Sequence, residues 1–172
     1  MKSVPMPTGE HPFEEIAMDF VKELPDSEGY NTILVVTDRF TKVHYYIAAK
    51  TTWILEDITQ SYINHIWRLY GLPRDITMNC SLQFAFKFLT EVNWKLNINP
   101  HLSTAYHPQT DRLSERAVQT LKQYLHIYCH DRPNCWRTCV PLAEFANNTT
   151  ATTTHKLFQY KASMTLIHPP YT

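Results

Sequence analysis

The chain has 172 residues, a length that suits one domain, and 44% of them are hydrophobic, enough to bury a core. Its formal net charge is zero, which argues against tight autonomous binding to nucleic acid and requires any DNA contact to use a local basic face. Glycine occurs only at Gly9, Gly29 and Gly71, so neither a P-loop nor a dinucleotide-binding glycine motif can be written.

Residues 1–12 hold three prolines and a glycine and read as a linker. Residues 16–21 (IAMDFV) form a strand that is apolar on both faces except at Asp19, as expected of a central strand. After a turn at 25–29, residues 31–37 and 43–49 continue as two further strands, and the short connections make an antiparallel meander. The period then changes. Leu55, Ile58, Tyr62, Ile66 and Leu69 recur every three or four residues, which predicts a helix stopped at Gly71. A strand follows at 75–78, then a helix over 84–96 with Phe84, Phe88 and Val92 inward, then a strand at 98–102. Residues 103–111 read as a polar loop, 112–129 and 136–147 as helices, and the segment from Thr149 onward as a weakly ordered tail. The order predicts an α/β fold, a mixed five-stranded sheet flanked by helices.

No apolar run follows Met1-Lys2 and no stretch approaches the roughly 20 apolar residues of a membrane span. The expectation is an intracellular, reduced protein with no membrane partner, whose Cys80, Cys129, Cys135 and Cys139 are free thiols.

Three positions carry the candidate chemistry. Asp19 lies in an apolar strand, where a lone carboxylate needs either a basic partner or a metal. Glu115 opens a helix, a place the helix dipole favours for any acid. That helix carries an apolar stripe of Leu113, Ala117, Leu121, Tyr124 and Tyr128 and a polar stripe of Glu115, Gln119, Lys122 and His126. The polar stripe reads as a solvated surface or as a face that follows a phosphate backbone. Asn79 ends a strand, as turn-forming residues often do.

At these residues the chain resembles the integrase catalytic core of gypsy-like LTR retrotransposons, as a divergent copy. The matching segments are 13–24 (FEEIAMDFVKEL), 30–42 (YNTILVVTDRFTK), 103–116 (STAYHPQTDRLSER), 119–125 (QTLKQYL) and 136–148 (WRTCVPLAEFANN), together with Tyr70-Gly71-Leu72-Pro73. The resemblance covers residues 13–160 and leaves 161–172 as a tail. It implies a ribonuclease-H-like fold and a triad of two aspartates and a glutamate that holds Mg²⁺ or Mn²⁺ for joining DNA 3′ ends to target DNA. Asp19 matches the first aspartate and Glu115 the glutamate. The second aspartate falls on Asn79, within MNCSLQF where the family has a pattern like SDRG-x-QF, and 35 residues stand between Asn79 and Glu115 (115 − 79 − 1) as in the family. Family glycines are also lost: Arg112 follows Asp111, and Lys161 follows Tyr160.

An asparagine offers one neutral carbonyl oxygen. Two dications about 4 Å apart repel by roughly 16 kcal/mol at an effective dielectric near 20, so loss of one carboxylate weakens a two-metal site severely. The expectation is an integrase-like domain with catalysis weakened or lost. The alternative is a co-opted, non-catalytic module that binds nucleic acid or protein. By the same resemblance, Arg112, Arg116, Gln119, Lys122 and His107 are candidate DNA contacts, the location is nuclear, and self-association is expected. Cys129, Cys135 and Cys139 with His126 and His130 lack the paired spacing of a structural zinc site. The family's zinc-binding module would lie upstream. Trp53, Trp67, Trp94 and Trp136 read as core or interface residues rather than base-stacking platforms.

Overall fold

A computed structural model describes residues 11–78, 82–97, 105–107 and 112–149. The strands are β1 (Glu15–Val21), β2 (Thr32–Asp38), β3 (His44–Ala49), β4 (Asp75–Met78) and β5 (Ala105–His107). They lie side by side in the order β3-β2-β1-β4-β5. The first three form the antiparallel meander, and β4 and β5 join in parallel, so the sheet is mixed. Helices α1 (Leu55–Tyr62), α2 (Arg68–Tyr70), α3 (Leu82–Lys95), α4 (Arg112–Tyr128) and α5 (Trp136–Asn148) cover it.

Alternation along the strands divides the core in two. Ile16 and Met18 of β1, Leu34 and Val36 of β2 and Ile76 and Met78 of β4 pack with Ile58, Tyr62 and Ile66 and with Phe88 and Val92. On the opposite face Val21, Ile33, Val35 and Tyr46 meet Ala117, Leu121 and Leu125 of α4 and Val140 and Ala143 of α5. Of the tryptophans, Trp136 is buried, Trp53 and Trp67 pack against the first core, and Trp94 is 76% exposed.

Three sequence expectations are corrected. Leu69, expected on the buried stripe of the first helix, is exposed. A π-helical segment, Ile63–Trp67, adds a residue to the turn and rotates the residues after it by about 100°. Tyr70 takes the inward place and stacks on Phe13 with ring centroids 3.7 Å apart. Next, Ala105–His107 is a strand rather than loop, pairing Asp75↔Ala105, Ile76↔Tyr106 and Thr77↔His107. Three residues are too few for alternation to show. The expected strand at 98–102 lies outside the described residues. Last, Tyr128 is 64% exposed, because the inward stripe of α4 runs Ser114, Ala117, Leu121, Leu125. Tyr124 and Tyr128 stack on each other at 4.2 Å instead.

β3 is an edge strand, and α5 caps that edge. The amide of His44 donates to Asn148 Oδ1 (2.8 Å), and Asn148 Nδ2 donates to the His44 carbonyl (2.7 Å). The amide of Tyr46 donates to Glu144 Oε2 (2.8 Å), and Asn147 Nδ2 donates to the Tyr46 hydroxyl (2.6 Å). Replacing Asn148 by alanine orphans a buried amide and carbonyl, so we expect a loss of about 2–4 kcal/mol, read from the urea midpoint at constant slope. A loss under about 0.5 kcal/mol would remove the cap from the stabilising interactions.

His44 is buried, its Nδ1 lies 2.9 Å from the Thr37 hydroxyl, and burial aided by Lys42 pushes its pKa down to about 4. The fold therefore holds neutral imidazole while the unfolded chain binds a proton below about pH 6.5. Stability from this group is full above pH 6.5 and falls by about 1.4 kcal/mol per pH unit down to pH 4, roughly 3 kcal/mol in all. Wild type and His44→Gln compared by urea unfolding at pH 7 and pH 4.5 isolate this slope from that of the carboxylates. We expect wild type to lose more stability than the variant on acidification; equal losses would refute the linkage.

Candidate active site

Asp19 pairs opposite Val35, which belongs to the core beneath α4 and α5. Its side chain therefore leaves the sheet on the α4 face, with that of Val21. Asp19 is half-buried, and Oδ1 accepts the Phe20 amide at 2.8 Å. Among the described residues no lysine or arginine comes within ion-pair distance of it.

α4 supplies the second carboxylate. Ala117, Leu121 and Leu125 seat the helix on the sheet, and Glu115 stands exposed in its first turn. Burial raises the Asp19 pKa most; the Phe20 amide and Lys22 lower it, Glu115 raises it again, and Lys122 lowers it. Asp19 and Glu115, 96 positions apart (115 − 19), thus share one electrostatic site with Lys22 and Lys122 at its border. A partly desolvated carboxylate that feels a like charge is eased by a bound cation.

Asn79 follows Met78, the last residue of β4 paired with β1, and lies outside the described residues, as do Asp111 and Cys80. Among the described residues no set of three acidic, histidine or cysteine side chains converges as a metal cluster. Asp75 is turned to other work, its carboxylate 3.3 Å from Arg74 Nε, and Arg74 also reaches Glu14 and Glu15. Asp38 is fully buried and accepts the Thr41 amide (2.9 Å), the Thr41 hydroxyl and the Phe40 amide (3.2 Å). It builds the β2–β3 turn and takes no part in the Asp19 site.

Arg116, Gln119 and Lys122 are exposed along α4, Arg112 is its first residue, and His107 closes β5. Lys22 was missed by sequence reasoning, although a lysine three residues beyond a strand aspartate is the visible signal. Glu115→Gln should lower the Asp19 pKa by removing a like charge. Carboxyl ¹³C NMR titration measures it, and an unchanged Asp19 midpoint would show that the two groups do not share a site.

The mixed sheet and the helices on its two faces have the fold of integrase, ribonuclease-H-like cores. The chain has the fold of the HTLV-2 integrase catalytic core domain solved in complex with magnesium, with a TM-score of 0.65 at 18% identity over 93% of this chain and 99% of that one. It superposes on the simian T-cell lymphotropic virus intasome solved with the PP2A regulatory subunit B56 gamma, with a TM-score of 0.70 at 20% identity over 96% of this chain and 58% of that one. In sequence it is homologous to the Transposon Tf2-3 polyprotein of Schizosaccharomyces pombe, 31% identical over 144 residues, which is 84% of this chain. The Tf2-4 polyprotein of the same yeast matches equally. The chain spans 11% of the length of these polyproteins. No family model matches it. It thus has the fold of a retroviral integrase catalytic core and homologues among LTR-retrotransposon polyproteins.

Proposed function

We propose that residues 13–160 form the catalytic core of a gypsy-like LTR-retrotransposon integrase, a divergent copy in which metal-dependent joining of DNA 3′ ends to target DNA is weakened or lost. The observation that carries this reading is that half-buried Asp19 on β1 feels the charge of Glu115 in the first turn of α4. The two carboxylates fit a hard divalent ion such as Mg²⁺ or Mn²⁺, which takes oxygen ligands. When bound, such an ion supplies charge neutralisation and polarisation at a phosphodiester. The second aspartate position is Asn79, and its neutral amide leaves the site one negative charge short.

The remaining groups bind and orient. Lys22 and Lys122 border the carboxylates and offer cations to phosphate oxygens. Arg116 and Gln119 extend that row along the exposed face of α4, and Arg112 and His107 complete the DNA contacts in this reading. These contacts need no metal, which supports a second reading: a co-opted module that holds DNA without cutting it. Exposed Ile127 and Tyr128 on α4 and Leu142 and Phe145 on α5 support self-association. No helix among the described residues is long and apolar enough to cross a membrane. Work on chromosomal DNA would place the protein in the nucleus.

Calorimetric Mn²⁺ titration of the wild type beside Asn79→Asp, with a strand-transfer assay on labelled DNA ends, tests the proposal. We expect weak Mn²⁺ binding and little or no joining by wild type, and at least tenfold tighter binding by the variant. Robust wild-type strand transfer would overturn the claim of impaired catalysis. Failure of both proteins to bind Mn²⁺ would leave the DNA-holding reading.

A further inference from the structure

The capping of β3 by α5 stops one amide short. The amides of His44 and Tyr46 bond to side chains of α5, so both point away from β2 to the free edge of the sheet. Strand alternation turns the amide and carbonyl of Ala48 the same way. Asn148 serves His44, and Glu144, one helical turn earlier, serves Tyr46. The next turn back presents Val140 and Pro141, whose side chains hold no acceptor. Among the described residues the Ala48 amide has no acceptor, and the alanine is partly exposed.

Outside this gap lies a cleft of about 280 Å³ that follows the edge at Tyr46, Ile47 and Ala48. α5 lines it with Arg137 and Pro141, and the end of α1 and the π-helical segment line it with Ser61 and His65. His65 Nδ1 donates to the Ser61 carbonyl at 2.7 Å, which fixes that ring. Tyr30 and Trp53 also line the cleft, edge to face with centroids 6.3 Å apart. The Arg137 guanidinium lies 4.4 Å from the centre of the Tyr30 ring, and Lys50 Nζ lies 5.1 Å from it. Glu28 pairs with Nη1 of Arg137 and leaves the rest of its five-donor fork. Around Tyr30 two cations thus stand against one acid.

We propose that this open stretch of β3 is a docking site for an acidic peptide, which adds to the sheet as a short extended strand. The added strand lies about 4.8 Å from β3. Its main chain accepts the Ala48 amide and donates to the outward carbonyls of Tyr46 and Ala48. Its side chains alternate between the two faces of the sheet. Those turned toward α5 meet Arg137 beside Tyr30, which suits a carboxylate. Those turned toward α1 meet Trp53, which packs on the core of that face and suits an apolar side chain. The pattern recognised is therefore acidic and apolar residues in alternation. A nucleic acid has no amide and carbonyl ladder to complete this edge.

The probe is the peptide acetyl-Val-Glu-Val-Glu-Val-amide, added to the full chain and followed by ¹H–¹⁵N NMR and amide hydrogen exchange. We expect shifts confined to the cleft. Exchange at the Ala48 amide, fast in the free protein, should slow by roughly tenfold once the peptide exceeds its dissociation constant about tenfold. Arg137→Ala in the protein, or lysines in place of both glutamates in the peptide, should weaken binding by roughly threefold or more. The peptide exchange reads the charge preference in the unaltered protein. Equal binding of the acidic and basic peptides would overturn the proposal. So would an Ala48 amide already protected in the peptide-free chain, whether monomeric or paired with a second copy by light scattering, or shifts in the cleft caused by a DNA oligonucleotide and not by the acidic peptide.

Discussion

β1 is bonded on both edges and covered on both faces, and it carries a carboxylate at Asp19. Ionised oxygen in such a place is costly without compensation. Here burial raises the pKa of half-buried Asp19, and the Phe20 amide and two lysines only partly offset it. The position of α4 is set by the same face. Ala117, Leu121 and Leu125 must cover Val21 and Val35, and seating them brings Glu115 in the first turn up to Asp19. Core packing and the electrostatics of the site are thus one constraint.

The second requirement is a closed sheet edge. Unpaired amides on an edge strand invite pairing with another chain. Glu144 and Asn148 sit one helical turn apart, about 6 Å along the axis, and the amides of His44 and Tyr46 are two strand residues apart, about 6.7 Å. That near-match lets one helix satisfy alternate amides of β3. The same helix supplies Val140 and Ala143 to the core, so α5 serves edge and core at once.

Most of the element order was legible because short apolar runs broken by turns in residues 16–49 give way to a period near four in residues 55–69. The misreadings have specific physical causes. A π-turn is invisible to a counting rule that assumes 3.6 residues per turn, so that rule puts Leu69 inward in place of Tyr70. β5 is three residues long and takes its identity from pairing with β4. On α4, an aromatic stripe ending at Tyr128 competed with the aliphatic one at Leu125, and the aliphatic one is buried.

The sequence by itself determined the β-β-β-α-β-α order, the odd carboxylate in an apolar strand and the acid opening a helix. These are properties of local pattern and residue type. Only tertiary structure decided that Asp19 and Glu115 share a field, that Asp38 and Asp75 do not join them and that Asn148 closes a sheet edge. Each of these depends on partners brought together by packing, and spacing along a chain carries no information about a distance through space.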